Sequence, residues 1–173
     1  IDLDCTSQHF FTKNRYLMDH RDRFGTVYWN YASTNHPRDT NVSMRAWCWR
    51  AWVAGADGIV PWNTIRGMEA WNRAEPLTVF YVGKKLGVNE PFASLRLKAY
   101  RRGEQDIEYL VMLARRQGWD REAVARAVAS GAELAGNIQQ RSEEDAGAVS
   151  FRNLSDAELD RLRRRVAQAL LER

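Results

Sequence analysis

The sequence predicts an α/β fold in which short parallel strands are covered by helices. Residues 26–31 and 58–62 are rich in Val, Ile, Tyr and Trp, which suit a pleated, buried surface. Residues 41–55 between them are apolar on nearly every side, which indicates a buried helix; the residues concerned are Met44, Trp47, Cys48, Trp49, Ala51, Trp52 and Gly55. Two strands joined by a buried crossover helix form a βαβ unit, and such units build parallel sheets.

Length and composition are consistent with this prediction. The 173 residues predict one domain, with room for a small appendage. The apolar fraction of 45% is ordinary for a globular protein. The tryptophans are distributed unevenly, because five of the seven fall between residues 26 and 62. The core is therefore expected to centre on the βαβ unit.

A formal net charge of +4 and a pI of about 9.3 raise the question of nucleic-acid binding. The excess comes largely from arginine-rich helices such as residues 161–165, with acids interleaved nearby, which is typical of solvated helix faces. A groove for single strands needs a basic stripe interleaved with aromatic residues, and none is present. We predict no nucleic-acid partner.

Metal ions and cofactors are not expected. Cys5 and Cys48 form no CxxC pair, and the three histidines are scattered (His9, His20 and His36). No P-loop, glycine-rich dinucleotide turn or nucleophile motif is present. No apolar run reaches the length of about 18 residues that a membrane span needs. Because the chain starts at Ile1 without a methionine, we expect a piece of a longer or processed protein.

The first strand is expected at residues 1–5, where apolar and acidic residues alternate. A helix follows over residues 10–24 and ends at Gly25, since glycine favours the helix C-terminus. Asp2 and Asp4 would then lie near the tip of the strand. Capping or ion pairing is the more common role for such acids.

After Trp62, residues 77–82 have the composition of a strand and residues 83–89 that of a turn. Pro91 suits the first position of a helix. The helix that follows has one apolar stripe, and Gly103 is expected to break it. Residues 94–97 alternate in polarity, so an extended conformation there stays open.

The C-terminal part of the chain is expected to be helical. Asp120 is predicted to cap a helix ending near Ala135. Residues 137–147 have the polar composition of a linker. Ser155 and Glu158 have the spacing of a capping box, which opens a final amphipathic helix. Whether that helix packs on its own domain or on a partner stays open.

The carboxyl ends of the central strands form the candidate site, because ligands of parallel α/β sheets bind beyond those ends. The predicted strand ends carry aromatic and amide side chains together, namely Trp29, Asn30, Tyr31, Trp62 and Asn63.

A pair of catalytic carboxyls is harder to find. Hydrolysis of a glycosidic bond ordinarily needs two of them flanking the bond. Residues 143–145 are acidic, but they lie in the predicted linker and cannot be held rigidly. Asp106 and Glu108 follow Arg101 and Arg102 on one helix, which favours ion pairs or caps. The sequence therefore predicts a binding face without a catalytic constellation.

Residues 91–110, PFASLRLKAYRRGEQDIEYL, resemble the signature P-x-x-S-[IL]-R-L-x-x-x-R-x-G-x-x-D-x-E-Y-L. That signature closes the catalytic domain of proteins related to glycoside hydrolase family 123, also labelled DUF4091. The preceding order of a strand ending in Trp-x-Tyr, a tryptophan-rich helix and Gly-x-x-x-Trp is similar too. The resemblance covers about residues 1–117.

The resemblance implies that the chain forms the C-terminal part of a (β/α)8 barrel, with its last three strands at residues 1–4, 27–31 and 59–62. It implies hydrolysis of β-linked N-acetylhexosamine, in which the substrate's acetamido group attacks with help from an Asp-Glu pair. That pair belongs to an earlier strand that this chain lacks, so no catalytic residue carries over. Trp29, Tyr31 and Trp62 match positions expected to line the sugar pocket, and from its place at the strand end we expect Asn63 to bind the substrate with them.

Two domains are therefore expected: residues 1–117 as the barrel portion and residues 118–173 as a helical extension. The predicted partners are a carbohydrate and either the rest of the barrel or a second copy of the chain, since three parallel strands cannot close a barrel. The alternative is a non-catalytic carbohydrate-binding or structural module, in which the aromatic residues hold a glycan or only pack.

Overall fold

A computed structural model describes residues 2–7, 10, 14–33, 39–73, 75, 78–128, 134, 137–139, 148–151 and 153–172. In chain order the elements are β1 (Leu3–Ser7), α1 (Arg15–Phe24), β2 (Val27–Ala32), α2 (Asn41–Val53), β3 (Gly58–Pro61), β4 (Phe80–Tyr81), β5 (Phe92–Ala93), α3 (Leu95–Gln117), α4 (Arg121–Val128), β6 (Asn137–Gln139), β7 (Ala148–Ser150) and α5 (Asp156–Leu171). Short 3₁₀ turns occupy Met68–Trp71 and Gly83–Leu86.

The central sheet has the predicted parallel arrangement. Its order is β1-β2-β3, and both pairs of neighbours run parallel. The register places Cys5 beside Trp29, and Trp29 beside Gly58. The α/β class and the βαβ unit are therefore confirmed. The first strand lies later than expected, so that Ser7 ends it and Asp2 and Asp4 are not at its carboxyl tip.

The described helices pack on one face of this sheet. Alternation along β2 directs Tyr28, Asn30 and Ala32 into the interior, where each is at most 1% exposed. Above them α2 is buried over most of its length, as its apolar sequence predicts. Helix α3 packs along α2, and α5 packs along α3. The final helix therefore packs on its own chain, which settles the alternative that the sequence left open.

Gly103 does not break a helix. Helix α3 runs without interruption, and Ser94 caps it by accepting a hydrogen bond from the backbone of Arg96. The extended alternative for residues 94–97 and the helix start at Pro91 are therefore wrong. Gly103 is needed for close approach, because a Cβ there would lie 2.5 Å from Cys48 Sγ and 3.2 Å from Arg45 Cα. Two helices can approach this closely only when the facing residue lacks a side chain.

The C-terminal region departs from the predicted linker. Asp120 caps α4 as expected, since its side chain accepts a 2.7 Å bond from the backbone of Ala123. Strand β6, predicted as the beginning of the linker, pairs antiparallel with β7. The capping box of Ser155 and Glu158 is confirmed in both directions. The acidic residues 143–145 and His36 lie outside the described residues.

A buried ionic cluster joins three helices. Asp106 of α3 is fully buried and accepts hydrogen bonds from Arg45 (2.6 Å), Trp49 (2.9 Å) and Arg163 (2.8 Å). Arg45 also contacts Asp160 of α5 at 2.8 Å. The ion pair predicted for Asp106 is confirmed, with partners on α2 and α5. Burial lowers the pKa of Arg45, but these carboxylates outweigh it and raise that pKa.

These contacts link residues on both sides of position 117, and one hydrophobic core spans them. The division into residues 1–117 and 118–173 stays a prediction. In the part of the chain that the structure describes, none of the helices is long and apolar enough to cross a lipid bilayer.

Candidate functional site at the uncovered sheet face

The other face of the central sheet carries aromatic side chains, and none of the described helices lies over them. Side chains alternate along a strand, so Trp29 and Tyr31 point away from the face of Tyr28 and Asn30. Their neighbours in register on β1 and β3 share this side. We call this surface the open face; its described members are Leu3, Cys5, Ser7, Val27, Trp29, Tyr31, Gly58, Val60 and Trp62.

Tyr31 and Trp62 form the rim of the open face at the carboxyl end of the strands. Their ring centroids lie 6.0 Å apart, and the planes are tilted by 40°. Trp62 follows β3 directly, and its backbone N–H donates to Ala32 O at 2.8 Å. The indole is 55% exposed. The structure therefore brings these two predicted residues together and leaves more than half of the Trp62 surface exposed.

Trp29 lies on the same face, two residues before Tyr31 and thus about 7 Å back along the strand. Its indole covers Gly58, because a Cβ at Gly58 would lie 2.9 Å from Trp29 Cδ1 and Nε1. The residue is still 40% exposed. Glycine at position 58 lets the ring lie flat on the neighbouring strand, which directs its other surface outward.

Asn63 follows Trp62 and has a φ of 54°. Asparagine is one of the few residues that adopt this left-handed conformation readily. The turn ends the strand immediately after Trp62. Asn63 therefore lies at the rim as predicted, and its side chain is exposed.

Asn30 is not a rim residue. Its Oδ1 accepts a 2.6 Å hydrogen bond from Trp47 Nε1, and its Nδ2 donates to Thr6 O and to the Tyr28 hydroxyl, both at 3.3 Å. The residue is fully buried among these partners. A one-residue step along a strand reverses the facing direction, which separates Asn30 from Trp29 and Tyr31.

The chemistry available on the open face is that of binding. Its described members include no carboxylate, and Cys5 and Tyr31 are its ionisable side chains. Burial raises the pKa of the Cys5 thiol, which keeps it protonated. Asp4 stands opposite Tyr28 in the register and so belongs to the helix-facing side. Within the described ranges, no group of three His, Cys, Asp or Glu residues could hold a metal ion.

The signature at residues 91–110 has structural roles in this chain. Ser94 caps α3, Gly103 permits its contact with α2, and Asp106 anchors the ionic cluster. Arg96 donates to Glu75 O at 2.8 Å and to Thr78 O at 2.7 Å, which ties the loop after β3 to α3. The motif that carries the family resemblance therefore reports how α3 packs on α2 and α5.

Sequence reasoning missed an aromatic cluster in the loop after β3. Trp71, Tyr81 and Phe92 pack on one another there, with Trp71 in the middle. These residues lie 10 to 21 positions apart, so no periodic pattern identified them. The only signal in the sequence was the tryptophan itself in a stretch of polar composition.

Comparison with known proteins gives a likeness in fold to solved structures. No protein-family model matches the chain, and no curated protein matches it. Among solved structures, the fold is similar to that of a family 123 glycoside hydrolase from Clostridium perfringens, which was studied for its hydrolysis of glycolipid glycans. The TM-score is 0.57 at 13% identity, over 90% of this chain. The chain spans 29% of that protein's length, and at this identity the likeness extends to the α/β fold alone.

Proposed function

We propose that this chain is the glycan-binding C-terminal portion of a glycoside hydrolase-like (β/α)8 barrel. It supplies the aromatic rim of the sugar pocket through Trp29, Tyr31, Trp62 and Asn63. The catalytic acid pair is supplied by the remainder of the barrel. The substrate class that the family resemblance implies is a β-linked N-acetylhexosamine.

The observation that carries this proposal is the exposure of aromatic rings at the carboxyl ends of a parallel sheet. Parallel sheets are almost always covered on both faces. Among the described residues the sheet is covered on one face and no strand pairs with the outer edges of β1 and β3, which is the expected appearance of three strands taken from a barrel. In a closed barrel the open face becomes the interior, and its rim becomes the mouth where ligands bind.

The rim suits a sugar better than it suits a charged ligand. The apolar face of a pyranose stacks on aromatic rings, and its hydroxyls need amide or hydroxyl partners at the edge. Trp62 and Tyr31 provide the rings, and Asn63 provides an amide next to them. Pockets for small ligands combine apolar walls with a few polar groups in this way.

The test compares Trp62→Ala with Trp119→Ala by calorimetric titration of the 173-residue chain with N-acetylgalactosamine. Trp119 is 40% exposed and lies between α3 and α4, outside the open face and beside residues of α4 and α5, so it is a matched control. We expect Trp62→Ala to weaken binding about tenfold, which is about 1.4 kcal/mol. Trp119→Ala should bind like the parent chain.

A parent chain that does not bind the sugar would contradict the proposal. So would a melting temperature that collapses in Trp62→Ala, because Trp62 would then be a packing residue. Turnover is tested separately by mixing the chain with a polypeptide that supplies the five missing strands. We expect release of N-acetylhexosamine only from the mixture.

The alternative is a structural module in which the aromatic rings only pack. The contact of Trp29 with Gly58 favours it locally, because part of that indole is already used within the sheet. The two functions predict different results for a Trp29→Phe variant. A packing role predicts reduced stability with unchanged sugar affinity, whereas a rim role predicts the reverse.

A further inference from the structure

A second recess lies in the loop after β3, apart from the open face. Its volume is about 520 Å³. Three aromatic rings and several polar groups line it, and its described lining residues are Asn41, Trp71, Tyr81, Phe92, Ala93, Ser94, Leu95, Arg96 and Lys98. A volume of this size is within the usual range for a small-ligand site.

The chain holds the rings of this recess in a fixed arrangement. Trp71 Nε1 donates to Val82 O at 2.8 Å, which sets the orientation of the indole. The indole centroid is 4.8 Å from the ring of Tyr81 and 6.5 Å from that of Phe92. Phe92 is 50% exposed although it lies in a strand pair. A cluster that served packing alone would bury this ring, so the exposure leaves a platform for a ligand.

The recess lies at the same end of the sheet as the rim. Asn41 begins α2, the helix that follows β2, and the other lining residues belong to the loop after β3 and the start of α3. Both connections leave the carboxyl ends of their strands, where α/β enzymes bind substrates. We expect a glycan of more than one sugar that is held at Trp62 to reach these loops.

The charge of the recess is one-sided. None of its described lining residues is acidic, and two are basic. The Arg96 guanidinium is engaged with the carbonyls of Glu75 and Thr78. Lys98 is exposed, so its ammonium is available to a ligand. An ammonium next to aromatic rings is complementary to a sugar that carries a negative group.

We propose that this recess is a second sugar subsite that takes an acidic sugar bearing a sulfate or a carboxylate. The ring of the sugar stacks on Phe92 and Trp71, and its anionic group pairs with Lys98. Asn41 and Ser94 serve the hydroxyls. This inference rests on the proposed function, since it extends the same glycan site by one subsite.

The test titrates the chain with N-acetylgalactosamine, with its 6-sulfate and with glucuronic acid. Lys98→Met removes the ammonium and keeps the length of the side chain, and Lys84→Met is the control on a neighbouring exposed turn. The parent should prefer the sulfated sugar to the neutral one by about tenfold, a usual effect of one charge-assisted hydrogen bond. Lys98→Met should lose that preference without changing the affinity for the neutral sugar, and Lys84→Met should keep it.

The anionic group and the ring are tested separately. If glucuronic acid binds as tightly as the sulfated sugar, the subsite recognises negative charge alone. If glucuronic acid binds more weakly, the subsite recognises the sulfate group. Each result supports an acidic subsite. Phe92→Ala should weaken binding of the acidic sugar at least fivefold. Inorganic sulfate that binds as tightly as the sulfated sugar would overturn the proposal, because the rings would then contribute nothing.

The outcomes also separate this inference from the proposed function. The second subsite alone is overturned if the neutral sugar binds, Trp62→Ala abolishes that binding, and the chain shows no preference for the acidic sugar that depends on Lys98. A chain that binds none of the probes overturns both.

Discussion

The two faces of the central sheet use the same residue type in opposite ways. On the helix-covered face, Trp47 and Trp49 are fully buried, and their indole N–H groups donate to Asn30 and Asp106. On the open face, Trp29 and Trp62 are 40% and 55% exposed. Composition alone does not separate the two pairs. The difference teaches that tryptophans in a buried crossover helix build the core of the chain. Tryptophans on the strand positions that face away from the helices are instead available to contact a ligand or a partner.

The largest effect should come from removing a tryptophan of the helix-covered face, and the matching change on the open face should cost much less. Trp47→Ala should lower the free energy of unfolding by about 4 kcal/mol, because it leaves a cavity and removes the hydrogen-bond donor to the buried Asn30 Oδ1. Trp62→Ala should lower it by less than about 1 kcal/mol, since its ring is already in solvent. Urea denaturation followed by circular dichroism measures both. Equal losses would contradict the distinction between the two faces.

Disrupting the ionic cluster tests how much it contributes to holding the helices of the covered face together. Asp106→Asn should lower the free energy of unfolding by about 3 kcal/mol, because Arg45 stays buried without its buried partner and keeps only the partly exposed carboxylate of Asp160. Glu108→Gln on the same helix is an exposed control and should change stability by less than about 0.5 kcal/mol. Chemical denaturation of both variants supplies the comparison. A small effect at Asp106 would mean that solvent reaches Arg45 easily.

A Gly103→Ala variant tests how closely α2 and α3 must pack on the helix-covered face. Alanine is the better helix former by up to about 1 kcal/mol, but its Cβ would overlap Cys48 Sγ and approach Arg45 Cα. Overpacking costs about 1 to 3 kcal/mol, so we expect a net loss of stability. Cys48→Ala in the same chain should recover part of it in a double-mutant cycle. A stabilised Gly103→Ala variant would show that the helices separate freely.

The smallest effect concerns pH. The hydrogen bond from Arg45, opposed by partial burial and assisted by Arg102, lowers the pKa of Asp160. Because the folded pKa is depressed, the stability that Asp160 contributes is present above the unfolded value near 4 and is lost as pH falls through the folded pKa. Asp160→Asn should therefore lose less stability than the parent below about pH 4. Thermal melts between pH 2 and 7 test this, and parallel curves for the two chains would contradict it.

Much of the fold was predictable because local patterns agree with it. The strand composition around Trp29 and Ile59, the apolar helix between them and the capping box at Ser155 each identified an element correctly. Gly103 was misread, since a glycine inside a helix signals a break unless the facing helix is known. The hairpin at residues 137–139 and 148–150 was missed because its polar sequence has no clear alternation.

The candidate site was predictable to a smaller extent. Chain order located Tyr31 and Trp62 at one edge, and the structure brings their rings together. Facing direction was not assigned correctly for Asn30, because that requires the exact position of the strand in the sheet. The recess around Trp71 depends on how a loop without periodicity folds back, and single-sequence patterns contain no information about that.

The left-handed backbone at Asn63 has a consequence for how the rim is dissected by mutagenesis. Replacing Asn63 with alanine removes the amide and also forces a Cβ-bearing residue without a compensating polar group into a conformation that costs about 1 kcal/mol or more. Such a variant would displace the adjoining indole and overstate the importance of the amide. Asn63→Gly keeps the turn and deletes only the side chain, so that it isolates what the carboxamide itself contributes to ligand affinity.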